Sequence, residues 1–336
     1  MGGTAMGDPI RMGVLGAARI TPDALIDPAR HVPGVEVTTI AARDGTRARA
    51  FADLHGIPRV LDTYDAVVAD PDIDAVFIPL PNGLHGHWTR AAVAAGKHVL
   101  CEKPFTANAD EAREVARVAD ASDVVVMEAF HWRYHPIVDR VLEVIGSGEI
   151  GEVRHVDATL VAPIVRGSDI RWDLGLAGGS LMDMGCYTIH QLRTFGGGEP
   201  TVTSASAKLR SPGIDRRMEA RVSFPSGASG RLVAGMLSGR GLSISVAVTG
   251  SAGRVRILNP VAPHRGGLAW VRGANGRRRL PIERRPTYTY QLEAFAHAVA
   301  TGERPLTDTA NAIANMQVVD DVYRAAGMDP RQPTPA

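Results

Sequence analysis

Two stretches of the chain bring together residue types that move protons. The first is HVLCEKPFTAN, residues 98–108, an apolar run that stops in Glu102-Lys103-Pro104. An acid and an ammonium at the carboxyl end of a strand sit where open α/β sheets keep their ligand crevice, so the pair points to chemistry rather than to a solvated loop. The second is SDIRWDLGLAGGSLMDMGCYTIHQL, residues 168–192, in which a glycine pair leads into a helix carrying Asp183, Tyr187 and His190. Steps of four and three place all three on one helical face. On a helix otherwise made apolar by Leu181, Met184 and Ile189, three polar groups predict a shared cleft.

Such a set suits the oxidation of a secondary alcohol, or its reverse. A hydride leaves carbon for a nicotinamide while a proton leaves oxygen, which requires a proton acceptor and a cation near the developing alkoxide. Tyr187 and Lys103 supply that pair. A free phenol titrates near pH ~10, and a neighbouring ammonium with the positive nicotinamide is expected to lower that value. In the reverse direction the neutral phenol gives its proton to a carbonyl. Asp183 is expected to hold Lys103 or a substrate hydroxyl, completing a catalytic set of Lys103, Tyr187 and Asp183. His190 stands nearby as orienter or alternative base, since imidazole works near neutrality without a large shift.

The elements that position these groups are legible in outline. From Arg11 to Phe130, short runs (MGVL, VEVTTIA, DAVFIPL, HVLCE, VVVME) alternate with Ala/Arg-rich helical stretches, the pattern of βαβ units and a parallel sheet. The first strand runs into GVLGAARIT, where Gly16, Ala18 and Thr21 occupy the slots of a G-x-G-x-x-G turn and Arg19 and Ile20 complete it. Gly16 makes the tight turn, and Ala18 admits a pyrophosphate over the helix amino terminus. The second strand ends in Ala41-Ala42-Arg43, without the acid that a NAD site places there. Arg43 suits a 2'-phosphate, so NADP(H) is preferred over NAD(H). Asp44 reads as the cap of the next helix, which closes at Gly56. Pro81, Asn82 and His85, after the run DAVFIPL, are expected beside the nicotinamide half of the cofactor, with His85 reading equally as a capping or packing residue.

After about residue 135 the texture changes to strand-like runs separated by Gly, Ser and Pro turns (EVRHVDATLV, TVTSASAKL, EARVSF, GRLVAGML, LSISVAVTG, RVRIL), and helical periodicity returns at the end with Thr307 and Asp308 as candidate caps. The predicted architecture is α/β plus α+β. A Rossmann doubly wound parallel sheet (residues 1–130) precedes a domain with a large, mainly antiparallel open sheet (residues 131–336) for substrate binding and oligomerisation. A length of 336 residues suits two such domains.

Charged residues make up 22% of the chain and the net charge is +1, so no global field favours nucleic acid or an anionic membrane. No segment reaches about 18 uninterrupted apolar residues, and the start MGGTAMGDPIRMGVLG reads as a loose leader without a signal pattern; a cytoplasmic protein is expected. Cys101 and Cys186, far apart and without metal-like neighbours, argue against disulfides and zinc. His131 and His135 have a spacing compatible with a metal, but no carboxylate completes a ligand set, and no metal is expected. Cys186 reads as a small buried hydrophobe. The run RGANGRRRLPIERR carries five arginines between 277 and 285 around an Asn275-Gly276 turn signal, which predicts an exposed strand pair.

A Rossmann unit followed by E-K-P at 102–104 and G-G-x-L-x-D-x-G-x-Y at 178–187 resembles the glucose-fructose oxidoreductase / inositol dehydrogenase family over nearly the whole chain. Inositol dehydrogenase-like members read D-x-x-x-H-x-x-D in the helix; here Tyr187 replaces the His and His190 the last Asp. Together with AARD (41–44) and MEAFHWRYHP (127–136), this is similar to the branch with glucose-fructose oxidoreductase, dimeric dihydrodiol dehydrogenases and NADP-linked xylose dehydrogenases. The resemblance implies that the Lys103-Pro104 peptide is cis and orients Lys103, that Glu102 contacts the cofactor's ribose side, and that Arg171 and Trp172 reach towards substrate or cofactor. The implied substrate is an aldose, pyranose or keto-sugar, met by Lys103, Arg171, Asp183, Tyr187 and His190. Two alternatives stand beside it: a trans-dihydrodiol or other non-sugar diol, and a cofactor-binding sensor without turnover, against which retention of Lys103 and Tyr187 argues. The open face of the second sheet suggests a homo-oligomer, dimer or tetramer.

Overall fold

The computed structural model describes residues 8–236, 241–273 and 276–335. The start of the expected leader (residues 1–7) and the turn residue Asn275 lie outside the described residues. The first sheet contains β1 (Ile10–Leu15), β2 (Val35–Ala41), β3 (Arg59–Leu61), β4 (Ala75–Ile78), β5 (His98–Cys101) and β6 (Val126–Glu128). All neighbours pair in parallel, in the order β3-β2-β1-β4-β5-β6. That order reverses between β1 and β4, which sets the ligand crevice at their carboxyl ends. β3 is a three-residue, half-buried edge strand and is absent from the runs read in the sequence, because RVL is too short to show a period.

The crossovers carry α1 (Asp27–Ala29), α2 (Gly45–His55), α3 (Tyr64–Ala69), α4 (His85–Ala94) and α5 (Ala109–Ala119). The Asp44 carboxylate accepts from the N–H groups of Thr46 and Arg47 at 2.9 and 3.1 Å, and Gly56 closes α2 with φ 73°, so both expected ends of that helix are present. Strand β4 is buried at every position, as a strand covered on both faces must be.

The second sheet contains β7 (Val153–Val161), β8 (Thr201–Ser211), β9 (Ile214–Ser223), β10 (Ser229–Gly235), β11 (Ser243–Gly250), β12 (Arg254–Leu258), β13 (Leu268–Gly273) and β14 (Gly276–Leu280). Its order is β14-β13-β12-β11-β7-β10-β9-β8, antiparallel throughout except for the parallel pair β7–β10. The expected mixed fold with a mainly antiparallel second sheet is therefore found. Arg277, Arg278 and Arg279 of the arginine run lie on the exposed strand β14, paired with β13 as anticipated, while Arg284 and Arg285 follow the strand.

Helices α6 (Pro136–Gly146) and α7 (Cys186–Phe195) flank β7, and α7 packs on β7 and β10. The chain ends in α8 (Thr287–Thr301) and α9 (Thr309–Ala325). Asp308 caps α9 by accepting from Asn311 N–H at 2.9 Å, whereas Thr307 donates its hydroxyl to the Glu128 carbonyl at 2.6 Å and is not the cap. Helix α9 touches α5, α7 and β8; α8 returns to the first sheet, where Leu292 and Phe295 join Met12, Val14, Ile40 and Phe77 in one apolar cluster. Residues beyond α9 strap the two sheets together. Arg331 Nη2 donates to Asp215 Oδ1 (2.8 Å) and its Nε to the Gly178 carbonyl (2.7 Å), Asn108 Nδ2 donates to the Arg331 carbonyl (2.7 Å), and Thr334 N–H reaches the Gly83 carbonyl (2.8 Å).

Candidate active site

At the end of β1, Gly16 adopts φ 109°, a conformation that side chains disfavour, and the Ala18 N–H closes back on the Gly16 carbonyl at 2.9 Å. Arg47 reaches over from α2 and donates to the Ala17 carbonyl at 2.6 Å, pinning this turn to the helix that starts beside Arg43. Arg19, Ile20 and Arg43 are exposed and Ala42 is buried. Asp44, the one acid near the end of β2, is engaged as a cap and leaves Arg43 as the side chain presented there. At the end of β5, Glu102 is buried, and its Oε1 has no hydrogen-bond partner among the described residues. Burial pushes its pKa up to about 7 against the pull of the Lys103 ammonium. An acceptor left open in this way suits a sugar hydroxyl, so the residues present fit a dinucleotide.

Asn82 donates to the Ala177 carbonyl at 3.1 Å and so joins the β4 loop to the second sheet's approach loop, while Pro81 beside it is half-buried. His85 takes the packing role, the second of its two readings. Its ring is buried, with Nδ1 at 2.7 Å from the Pro104 carbonyl and Nε2 at 2.8 Å from the Leu80 carbonyl, and burial lowers its pKa to about 4. It braces the loop under Lys103 instead of lining the crevice with a free nitrogen.

The Lys103-Pro104 peptide is cis, as the resemblance implies. Lys103 Nζ donates to Asp183 Oδ1 at 3.0 Å and to the Asp183 carbonyl at 3.3 Å, and it lies 5.0 Å from the centroid of the Tyr187 ring. Arg171 Nε holds the other Asp183 oxygen at 2.7 Å, and Arg171 Nη1 pairs with Asp169 at 3.1 Å. Burial alone would lower the lysine and raise the aspartate; their mutual attraction wins, so Lys103 is held above and Asp183 below its ordinary value. Asp183 sits in a single π-helical turn, Leu181–Gly185, that enters α7. Trp172 is buried, with the Arg210 guanidinium 4.3 Å from its ring centroid.

Two expectations are corrected here. The Lys103 ammonium by itself does not acidify Tyr187: burial first, then Glu102, Cys186, Asp183 and Glu128, drives the phenol's pKa well above 10, while the ammonium lies under the ring paired with Asp183. His190 does not share the Lys103 environment. Phe130 stacks on it at 4.3 Å and meets Tyr187 edge-on at 5.4 Å, and His190 Nε2 bonds Asn311 Oδ1 of α9 at 3.0 Å, so an aromatic ring separates the two polar groups. Cys186 is buried, its thiol raised by burial. His131 and His135 turn to different partners, Tyr187 with Thr287 and the Glu283 carbonyl respectively.

Sequence reading missed the partner of His131, which it weighed only as a metal ligand, and missed Glu128. His131 Nε2 lies 3.2 Å from the Tyr187 hydroxyl, a contact across 56 residues that no spacing rule reveals. Glu128, wholly buried at the end of β6, accepts the Phe105 N–H at 2.9 Å just past Lys103-Pro104. An acid at the carboxyl end of a strand was the available signal for Glu128, the same one that singled out Glu102.

A nucleotide turn and a lysine at the carboxyl ends of a parallel sheet, the lysine bonded to a carboxylate and lying beneath a phenol on the helix that packs against a second sheet, define a Rossmann-type oxidoreductase. The chain belongs to the GFO/IDH/MocA family. Residues 10–130 match the model described as oxidoreductase family, NAD-binding Rossmann fold, and residues 138–256 match the GFO/IDH/MocA C-terminal domain. It is 38% identical to a D-xylose 1-dehydrogenase (NADP(+)) of Haloferax volcanii, over 94% of this chain and 96% of the relative. It is 32% identical to the trans-1,2-dihydrobenzene-1,2-diol dehydrogenase of Sus scrofa, over 75% of each. The crystal structure of KijD10, a 3-ketoreductase from Actinomadura kijaniata in complex with NADP and TDP-benzene, superposes with a TM-score of 0.87 at 29% identity, covering 95% of this chain and 98% of that one.

Proposed function

We propose that the protein is an NADP(H)-dependent oxidoreductase that moves a hydride between nicotinamide and a secondary alcohol or carbonyl of a sugar, an aldose, pyranose or keto-sugar. The observation that carries this reading is the Lys103 ammonium fixed 3.0 Å from Asp183 beneath the Tyr187 ring. The xylose dehydrogenase and ketoreductase relatives support both cofactor and substrate class. Gly16, Ala18, Arg19 and Ile20 would hold the pyrophosphate, Ala42 and Arg43 the adenosine 2'-phosphate end, and Glu102 a ribose hydroxyl, with Pro81, Asn82 and Trp172 flanking the nicotinamide half. When bound, the nicotinamide supplies or accepts the hydride.

The chain's own residues handle the rest. In reduction, neutral Tyr187 gives its hydroxyl proton to the carbonyl oxygen while Lys103 stabilises the negative charge that develops there. In oxidation, the phenolate takes the proton from the alcohol. Asp183 and Arg171 fix the lysine and offer the remaining polar contacts to substrate. Residues 1–130 form the cofactor half of this scheme and residues 131–336 the substrate half. The face of the second sheet turned away from α7 serves a homo-oligomer, which light scattering resolves into dimer or tetramer. Two free, buried cysteines suit the reducing cytoplasm.

The test follows nicotinamide absorbance with NADP⁺ and then NAD⁺ over aldoses, polyols and diols, in wild type and Lys103→Met. A sugar should drive NADP⁺ reduction, and the variant should lose about 100-fold or more in rate while still binding NADPH. The pig relative supports a second reading, a trans-diol substrate; turnover of diols with no sugar turnover would select it. Tight NADPH binding without any turnover would overturn the enzyme reading.

A further inference from the structure

Behind the Tyr187 hydroxyl lies a chain of buried polar groups that the mechanism above does not use. His131 Nε2 is 3.2 Å from the phenolic oxygen, and His131 Nδ1 is 2.7 Å from Thr287 Oγ1. The imidazole packs against the Tyr288 ring, centroids 3.9 Å apart and planes tilted by 30°, which restricts its orientation. We propose that His131, set by Thr287, is the positioning residue of Tyr187: its Nε2–H donates to the phenolic oxygen and leaves the tyrosine's own proton free to point at substrate. The inference rests on the reading of Tyr187 as proton donor.

Proton counting carries the argument. Thr287 is wholly buried in the first turn of α8, where no preceding helical carbonyl is available to its hydroxyl, and among the described residues that hydroxyl bonds only to His131. If the ring carried its proton on Nδ1, Thr287 would accept it and its own hydroxyl proton would be buried without a partner. Tyr187 would then spend its proton on Nε2. With the proton on Nε2, every donor is used: Thr287 O–H to Nδ1, Nε2–H to the phenol, phenol O–H to the reacting oxygen. When Tyr187 gives up its proton, the Nε2–H remains to stabilise the phenolate, and His131 stays neutral throughout. The groups facing this pair are Lys103, Glu102, Asp183, Cys186, Glu128, Tyr288, His264 and Arg265. Lys103, His264 and Arg265 join burial in disfavouring the imidazolium.

Nitrogen-15 NMR of histidine-labelled protein, with the His131 signals assigned by their loss in His131→Gln, reads the tautomer directly and needs no substrate. The expected result is a protonated Nε2 and an unprotonated Nδ1 across neutral pH, shifting towards the other tautomer in Thr287→Val. Kinetically, His131→Phe should turn over about ten- to a hundred-fold more slowly, with KM little changed and the alkaline limb of the oxidation profile moved to higher pH. His131→Gln, which restores an N–H donor, should recover most of both. A proton on Nδ1 in wild type, or a Phe variant with unchanged rate and pH limb, overturns the proposal. Should the Phe variant fail to fold, the wild-type tautomer and the Val variant decide. A protonated Nε2 in a protein that turns over no sugar would sink the sugar reading and leave the role of His131 standing.

Discussion

Lys103 and Tyr187 divide the labour of one proton and one charge, and the surroundings decide which form each takes. With Tyr187 held neutral by burial, reduction starts from the form already present, whereas oxidation needs the phenolate. Oxidation rates should therefore climb with pH towards the alkaline limit of the fold while reduction stays flat until the phenol ionises, a contrast visible in paired pH–rate profiles. Glu128 makes a second, independent prediction. Burial pushes its carboxyl from 4.5 to about 8, so between those values the native state binds a proton that the unfolded chain has released, and stability falls as pH rises through that window. Glu128→Gln keeps an acceptor for the Phe105 N–H and removes the charge. Its melting temperature should exceed wild type by a few degrees near pH 8 and coincide with it below pH 4.5, as thermal scans across that range would show.

Elements bring these residues to one place, and some of that work is readable in advance. Asp44 and Gly56 announce α2 because capping chemistry is local, and the βαβ rhythm announces the parallel sheet for the same reason. The Leu181–Gly185 turn is not announced: LMDMG carries no mark that separates a π-turn from an α-turn. Nor does helical spacing foresee Phe130, which enters from another element and parts His190 from Tyr187. The approach loop before that turn is folded tightly on itself, with the Gly179 N–H on the Arg171 carbonyl and the Gly178 N–H on the Asp173 carbonyl, both at 2.9 Å. A Cβ at Gly178 would lie 2.5 and 2.7 Å from those same two carbonyl oxygens, and backbone has little room to yield. Gly178→Ala should thus push Arg171 off Asp183. We expect about ten-fold lower kcat/KM with NADPH affinity retained, a split that steady-state kinetics and cofactor titration separate.

At the scale of the whole molecule, the two sheets are joined by more than the chain between them. Arg331 and Asp215, both almost wholly buried, form an ion pair at 2.8 Å, and Tyr323, Ser180 and the Leu181 N–H complete the carboxylate's bonds at 3.1, 2.7 and 2.8 Å. Arg331→Ala would strand a buried carboxylate, and the expected loss of about 3–5 kcal/mol is measurable by denaturant unfolding. The return of α8 reaches further still. Leu292 and Phe295 complete the apolar layer around Met12, Val14, Ile40 and Phe77, so one side of the nucleotide sheet is finished by residues encoded more than two hundred positions downstream. Such long-range closure slows folding and leaves that layer bare in any early intermediate. A fragment cut after residue 130, though it holds every strand of the first sheet, would therefore expose a sticky face and depend on chaperones or on a complementing carboxyl-terminal piece to stay in solution.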